Sequence, residues 1–326
     1  MRLVFFGTSP RSAKFLELAT QNGLKFDLVV SEPPKPTGRQ QVLTENPTVT
    51  MAKILQIPHF ENMEDLLKDE SLTLGLILDF QKIIPDEIIN KFTKGIINTH
   101  FSKLPIGRGP APVQYTILNG DKEAWISYYL INSQLDAGPI VKQTSLTLDF
   151  TETTDSLYLK LIEKAAQEAP KIIKDYLEGK ITPQPQTETP TFAKKLKTEN
   201  CRIDWSKSPE ETERLIRAAY SEPGAYTIVN LKLKKEKVNK RLKILKAHLE
   251  DIRDNSSAAQ REILSKSEEK HALPIRLNSD ETNKVQKRLV IVIDQVQLEG
   301  KKPVTWQQFK EGYPQVKLEN SHHLGN

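Results

Sequence analysis

The chain of 326 residues contains a single cysteine, Cys201, and no apolar run that approaches the ~20 residues needed to cross a bilayer. One cysteine excludes an internal disulfide and any cysteine-rich zinc motif, and it suits a reducing compartment. Cys201 has no nucleophile signature around it, so we interpret it as a bystander thiol. Because Met1 and Arg2 lead directly into the apolar run Leu3–Phe6, we expect no signal peptide and a cytoplasmic protein.

Length and charge bound the organisation of the chain. A length of 326 residues favours two domains, and 37% hydrophobic with 27% charged residues is typical of a globular protein. Residues 201–326 hold 24 Lys and Arg against 18 Asp and Glu, whereas residues 1–200 hold 23 against 24. The basic excess therefore lies in the second part of the chain. It fits a polyanionic partner, and equally a soluble basic domain without one.

The first 180 residues alternate short apolar runs with helical patterns. Buried strands are predicted at Leu3–Phe6, Phe26–Val30, Leu74–Leu78, Gly95–Asn98 and Trp125–Ile131. Helices are predicted after the Asn46-Pro47 start signal and over Pro85–Phe92, Pro112–Leu118 and Asp155–Ala169. Strands that alternate with helices of this length indicate an α/β domain built on a parallel sheet.

The residue composition changes after Gly179, where a stretch rich in Pro and Thr predicts a linker. A capping box at Ser208–Glu211 starts a helix that continues to Ala219. Strand-like runs follow at Tyr226–Leu233, Leu242–Ala247 and Leu289–Val296, as in a small β-barrel. We predict one domain over residues 1–182, a linker over 183–203 and a second domain over 204–326, in which the polar residues 250–286 form a long loop or insertion.

The fourth predicted strand ends at Asn98, and His100 follows two residues later in extended chain. Residues two apart in a strand face the same side, and the carboxyl ends of parallel strands are where such sheets bind ligands. An amide can donate to a developing oxyanion and an imidazole can transfer a proton near neutral pH, which suits acyl transfer. Taken alone, the pair also fits a structural asparagine and a histidine satisfied by its neighbours.

The following sequence is more specific. After Asn98-Thr99-His100 come, in order, the segments Ser102-Lys103-Leu104-Pro105, Gly107-Arg108-Gly109-Pro110-Ala111-Pro112 and Leu135-Asp136-Ala137-Gly138. Together they resemble the folate-dependent formyltransferase family, and the likeness extends upstream to Phe6-Gly7-Thr8 and Pro36-Thr37-Gly38-Arg39. A nicotinamide-dependent dehydrogenase is excluded because the first turn lacks the glycine triplet of a dinucleotide site.

The resemblance implies a fold and a site. It implies a Rossmann-like catalytic domain, a C-terminal OB-like β-barrel, 10-formyltetrahydrofolate as co-substrate and no metal. It implies catalytic roles for Asn98, His100 and Asp136, and folate contacts from Phe80, Gln81, Ser102, Lys103, Leu104 and Pro105. We expect Asn98 and His100 to donate to the formyl oxygen while Asp136 orients His100. The amine proton goes either to His100 or to a water bound by Asp136.

Three further segments, Arg202–Ser206, Leu215–Ala218 and Val296–Pro303, resemble the branch of the family that formylates methionyl-tRNA. This branch implies methionyl-initiator tRNA as partner, a role in translation initiation and a monomer. The implied RNA contacts are Lys35 and Arg39 in the loop after the second strand, and Lys232, Lys234, Lys235 and Lys237 in the barrel, with Lys240 and Arg241 beside them. Without the resemblance, Lys35 and Arg39 also fit an ordinary solvated loop. Two alternatives keep the catalytic trio: a formyltransferase for an amino-sugar nucleotide or another amine, and a non-catalytic RNA-binding protein.

Some positions depart from the family pattern. Asp79-Phe80-Gln81 stands where the family has Ala-Tyr-Gly, Lys103 stands for a leucine, and Ala124-Trp125-Ile126-Ser127 replaces Thr-Gly-Val-Thr. These departures predict an altered pocket wall around an intact catalytic trio.

Overall fold

The computed structural model describes residues 2–37, 41–233, 236–253, 287–316 and 318. It divides into two compact units. The N-terminal unit comprises Met1–Thr116, Lys122–Asp149 and Ser156–Lys195, and the C-terminal unit comprises Ile117–Asp121, Phe150–Asp155 and Leu196–Asn326. No helix within the described ranges has both the length and the apolar character of a membrane-spanning segment.

A seven-stranded sheet in the order β5-β2-β1-β6-β7-β8-β9 forms the centre of the N-terminal unit. Its strands are β1 (Leu3–Phe6), β2 (Leu28–Val30), β5 (His59–Phe60), β6 (Leu74–Ile77), β7 (Ile96–His100), β8 (Glu123–Leu130) and β9 (Ile140–Thr147). The first five strands in this order, β5, β2, β1, β6 and β7, are parallel to one another, as predicted. All of β1 is buried. A separate hairpin consists of β3 (Lys35–Thr37) and β4 (Val42–Thr44).

The sheet is mixed because β8 and β9 pair antiparallel to their neighbours. The sequence pattern does not predict β9. Only Val141 is buried within it, so its sequence lacks the apolar run that marks a central strand.

The helices of this part of the chain are α1 (Pro10–Gln21), α2 (Pro47–Ile54), α3 (Asp86–Ile89), α4 (Pro112–Asn119) and α5 (Thr154–Leu177). The side chain of Asn46 caps α2, as its sequence predicts. Helix α3 is shorter than predicted, since the hydrogen bonds donated by Lys91 N and Phe92 N span three residues instead of four. Helix α5 continues through Pro170, because buried Ala169 and Ile172 keep the same face packed on either side of the proline.

The C-terminal unit contains a four-stranded antiparallel sheet in the order β10-β11-β12-β13. Its elements are α6 (Pro209–Ala218), β10 (Tyr226–Leu233), β11 (Glu236–Arg253), β12 (Lys287–Leu298), β13 (Val304–Thr305) and α7 (Trp306–Gly312). Ser208 forms the predicted capping box with Glu211. Burial raises the pKa of the Cys201 thiol to about 11, which supports its interpretation as an unreactive side chain.

His248 on β11 makes the stability of this unit depend on pH. Its ring contacts Asp294 at 3.0 Å and Glu250 at 3.3 Å, and the hydrogen bond to Asp294, followed by that to Glu250, raises the pKa of His248. A raised folded-state pKa adds stability that is complete below the unfolded value of about 6.5 and is lost as the pH rises through the folded value. We therefore expect His248→Gln to destabilise the unit more at pH 6 than at pH 9.

Urea unfolding followed by tryptophan fluorescence checks this expectation. The chain has three tryptophans, and Trp125→Phe leaves Trp205 and Trp306, both in the C-terminal unit, as probes. His59→Gln, which lies in the N-terminal unit, serves as the control. An equal loss of stability at both pH values would contradict the role of the charge.

Candidate active site

The carboxyl end of β7 opens into a cleft of about 470 Å³. Its lining includes Asn98 and His100 from β7, Asp136 from the turn after β8, and Arg11, Phe80 and Gln81 from neighbouring loops and α1. The structure therefore brings together the three predicted catalytic residues and two of the predicted folate contacts. This is the position at which a parallel α/β sheet binds ligands.

Asp136 is held by two short hydrogen bonds. Its Oδ2 accepts from the backbone N–H of Gly109 at 2.7 Å, and its Oδ1 accepts from the hydroxyl of Tyr129 at 2.6 Å. Asp136 adopts a positive φ of 49°, a conformation that aspartate tolerates better than most side chains. Gly109, with a φ of 112°, needs to be glycine, since a Cβ there would lie 3.0 Å from the Ala193 carbonyl oxygen.

His100 is buried beside Asp136 and bonds to a different partner. Its Nε2 lies 3.0 Å from the carbonyl oxygen of Gly107, which can only accept, so Nε2 carries a proton and donates. Its Nδ1 lies 3.9 Å from Asp136 Oδ2, a distance too long for a hydrogen bond but short enough for charge attraction when the ring is protonated. The Asp136 carboxylate therefore acts on His100 by its charge, and the Gly107 carbonyl fixes the ring.

Tyr129 is a site residue that the sequence did not indicate. It lies opposite Asn98 in the pairing of β7 with β8, and its hydroxyl accepts a hydrogen bond from Asn98 Nδ2 at 2.9 Å. Burial, followed by the nearby charge of Asp136, raises the pKa of Tyr129 far above its ordinary value, so the hydroxyl keeps its proton. The alternation of side chains along β8 could have indicated that Tyr129 faces the same side as Asn98, but only with the knowledge that β8 pairs with β7.

Residues 184–193, part of the predicted linker, are hydrogen-bonded to the loops that carry the site; we call this segment the brace. Its first residue, Gln184, exchanges two backbone hydrogen bonds with Ile140. Farther along, the Thr191 hydroxyl accepts from Gly107 N at 2.9 Å, and its carbonyl accepts from Arg108 N at 2.9 Å. The brace thus fixes the backbone of the residue whose carbonyl contacts His100.

Gln186 joins the brace to the turn of Asp136. Its Nε2 donates to the carbonyl oxygens of Asp136 at 2.9 Å and Gly138 at 2.8 Å, and its Oε1 accepts two hydrogen bonds from the Arg108 guanidinium. Gly138 allows this turn to approach β8, because a Cβ there would lie 1.7 Å from the Leu130 carbonyl oxygen. One amide therefore links both loops of the site.

We expect Gln186→Met to lower the free energy of unfolding by about 1–3 kcal/mol, because it leaves two carbonyls and a guanidinium without their partner. Gln184→Met is the matched control, since the Gln184 side chain is exposed and its hydrogen bond goes to the Thr182 carbonyl, two residues away in the same segment. Thermal unfolding of the three proteins measures the difference. Equal melting temperatures for the two variants would show that the Gln186 side chain does not hold these loops.

The other predicted folate contacts, Ser102–Pro105, do not line the cleft. Their segment is tied to β8: Ser127 Oγ donates to the Ser102 carbonyl at 2.6 Å and accepts from Leu104 N at 3.1 Å. Lys103 Nζ lies 4.5 Å above the ring of Trp125. Two of the departures from the family pattern, Lys103 and Trp125, are therefore in contact with each other.

The third departure, at Asp79, anchors the wall of the cleft to the start of α1. Asp79 has a φ of 52°, its Oδ2 accepts from Ser9 Oγ at 2.6 Å, and Arg11 lies 3.8 Å away. Phe80 packs edge-on against Phe6 with ring centroids 5.6 Å apart. The altered wall is thus supported by specific contacts, and it brings an arginine to the cleft.

The predicted RNA contacts are described only in part. Lys35 lies on β3, where its Nζ contacts Glu32 at 2.7 Å. Lys232 and Lys237 are paired opposite each other in β10 and β11, and their side chains are not described. Arg39, Lys234 and Lys235 lie outside the described residues. Among the described residues, no group of three or more His, Cys, Asp and Glu side chains could hold a metal ion.

Two family models match this chain. The model described as formyl transferase matches residues 1–173, and the model described as formyl transferase, C-terminal domain, matches residues 195–314. The sheet, the cleft and these matches define the class: the chain belongs to the formyl transferase family. The predicted family and fold class are thereby confirmed, the latter as an N-terminal α/β domain followed by an antiparallel β domain.

Three individual proteins that are similar to this chain carry more specific names than the family. The methionyl-tRNA formyltransferase of Bacillus cereus (strain B4264) is 36% identical over 235 residues, which are 70% of this chain and 75% of the relative. The N-formyltransferase of Helicobacter canadensis, in complex with folinic acid and dTDP-3-aminofucose, matches with a TM-score of 0.59 at 18% identity, covering 90% of this chain and 98% of that one. The methionyl-tRNA formyltransferase of Clostridium thermocellum matches with a TM-score of 0.51 at 19% identity, covering 90% and 99%. The two structures establish the shared fold.

Proposed function

We propose that this chain transfers the formyl group of 10-formyltetrahydrofolate to the amino group of methionyl-initiator tRNA, which gives N-formylmethionyl-tRNA for translation initiation. The observation that carries the proposal is the meeting of Asn98, His100 and Asp136 in one cleft of a chain 36% identical to a methionyl-tRNA formyltransferase. The likeness to the sugar enzyme is one of fold, at 18% identity. We further propose a monomer that works in the cytoplasm.

The cleft suits a folate in size and lining. Its volume of about 470 Å³ lies within the range usual for small-molecule sites, and apolar Phe80 and Leu135 line it together with polar Gln81 and Asp136. When bound, the folate supplies the formyl group. Phe80 and Gln81 would contact it, and the segment Ser102–Pro105 would shape the site from behind.

The chemistry requires a neutral amine and a stabilised oxygen. As the amine nitrogen bonds to the formyl carbon, negative charge develops on the formyl oxygen, and Asn98 donates to it. The Nε2 proton of His100 is bonded to the Gly107 carbonyl, so His100 can donate to this oxygen only through Nδ1 and only when the ring is protonated. The bond between the carbon and N10 then breaks, N10 takes up a proton, and the amine nitrogen loses one. That proton passes to His100 or to a water bound by Asp136, whose charge stabilises a protonated His100.

The test is formyl transfer to methionine-charged initiator tRNA, with charged elongator tRNA and a nucleotide-linked amino sugar as parallel acceptors. Rapid formylation of the initiator alone is the expected result. Transfer to the amino sugar alone would establish the alternative activity. Absence of folate binding would support a non-catalytic RNA-binding protein. Folate binding without transfer to any of these acceptors would point to a different amine.

The basic excess of residues 201–326 predicts tRNA binding that depends on salt. Lysines that neutralise phosphates release counterions, so we expect affinity to fall roughly 10- to 100-fold between 50 and 200 mM salt if about three phosphates are contacted. Filter binding measures the slope. The double variant Lys232→Ala, Lys237→Ala should flatten it, whereas Lys68→Ala with Lys171→Ala, two exposed lysines of the N-terminal unit, should not. Equal affinity at both salt concentrations would contradict phosphate contacts.

A further inference from the structure

A continuous line of hydrogen bonds joins Asp136 to Asn98 through Tyr129. The Tyr129 hydroxyl lies 2.6 Å from Asp136 Oδ1 and 2.9 Å from Asn98 Nδ2. Tyr129 is 2% exposed and does not line the cleft, whereas Asn98 and Asp136 do. The tyrosine therefore connects two cleft residues from behind, out of reach of the substrate.

The direction of each hydrogen bond in this line follows from chemistry. An ionised carboxylate can only accept, so Tyr129 donates its proton to Asp136. The Tyr129 oxygen is then left to accept, and it needs a donor from Asn98. Only the NH2 group of the Asn98 amide can supply one, which determines the side to which this NH2 points.

We propose that Tyr129 is a positioning residue that transmits the charge of Asp136 to Asn98 and so fixes the orientation of its amide. Nδ2 carries two N–H bonds, and Tyr129 occupies one. The second stays available for the formyl oxygen, a role that rests on the proposed function. With the amide reversed, Asn98 would present its own oxygen and repel the developing negative charge.

The first test compares Tyr129→Phe with Tyr128→Phe. Tyr128 is the adjacent buried tyrosine of β8, and its hydroxyl lies 3.3 Å from the Ala165 carbonyl, away from the cleft. We expect Tyr129→Phe to lower kcat about 10-fold, which is the usual effect of losing one well-oriented hydrogen bond. KM for both substrates should not change. Tyr128→Phe should keep the wild-type kcat. Equal kcat values for both variants would overturn the proposal.

A double-mutant cycle identifies the residue through which Tyr129 acts. In an Asn98→Ala background there is no amide to orient, so adding Tyr129→Phe should cost nothing further. A further loss of about 10-fold in that background would mean that Tyr129 acts through Asp136 alone, and the proposal would be wrong.

A last test does not depend on which amine the enzyme uses. In a spectrum of protein labelled with ¹⁵N-asparagine, the NH2 signals of Asn98 are those missing from Asn98→Ala. One of these two protons should exchange slowly with water in the wild type and in Tyr128→Phe, and fast in Tyr129→Phe. Fast exchange of both protons in the wild type would overturn the proposal, even if methionyl-tRNA is formylated. Slow exchange would support it, even if the acceptor is another amine.

Discussion

Asn98→Ala is expected to lower the turnover of formyl transfer about 100- to 1000-fold, which is the usual effect of removing one oxyanion donor. The substitution removes an amide N–H of β7 that lies at the wall of the cleft and is fixed by Tyr129. Because the donor acts on charge that develops only in the transition state, kcat should fall and KM should change little.

Single-turnover formylation of methionyl-tRNA gives the measurement. Asn62→Ala is a suitable control, since Asn62 precedes the 3₁₀ helix Met63–Lys68 and its side chain makes no capping hydrogen bond there. Turnover of Asn98→Ala within a few-fold of the wild type would remove Asn98 from the list of oxyanion donors.

His100→Ala should cost about 100- to 10,000-fold, since it removes a group whose Nδ1 can accept the amine proton when the ring is neutral or donate to the formyl oxygen when the ring is protonated. His100 is 8% exposed and is held by the Gly107 carbonyl, so its ring has a fixed position at the wall of the cleft. His59→Ala, which removes a histidine of the N-terminal unit that does not line the cleft, should leave turnover unchanged. Unimpaired turnover of His100→Ala would disprove the role.

The same variant separates the two routes for the amine proton. If His100 accepts it, added imidazole should restore part of the rate of His100→Ala, because a free base of similar strength can enter the vacated space. If a water held by Asp136 accepts the amine proton, added imidazole should not change the rate of His100→Ala. In that case Asp136→Asn should be inactive both with and without imidazole. The comparison is made at one pH with saturating co-substrate.

Local sequence patterns predict many of the strands and helices of the fold. The strands β1 and β10 begin and end where the sequence predicts, because each is a short run of apolar or branched residues between polar segments. Strand β11 extends far beyond the predicted Leu242–Ala247, since its two ends, Glu236–Arg241 and His248–Arg253, are rich in charged residues and resemble a solvated loop. Exposed strands are stabilised by pairing, and pairing is not a local property of the chain.

The candidate site was predicted in its catalytic trio but not in its supports. Asn98 and His100 face one side because of strand periodicity, and the resemblance pointed to Asp136. Tyr129 and Gln186 depend on contacts that span 31 and 50 residues, between strands and loops whose pairing no local pattern encodes. The contact between Lys103 and Trp125 could have been suspected, since both depart from the family pattern, but only coordinates place them together.

The brace bears on how enzymes of this kind could exchange domains in evolution. A version of this chain cut after residue 182 would keep Asn98, His100 and Asp136. It would lose Gln186 and the backbone pairing between Arg108 and Ala193. A second domain joined after Lys195 would leave those contacts intact. Fusions that work should therefore be those whose junction follows the brace, even though the chain already looks like a spacer a dozen residues earlier.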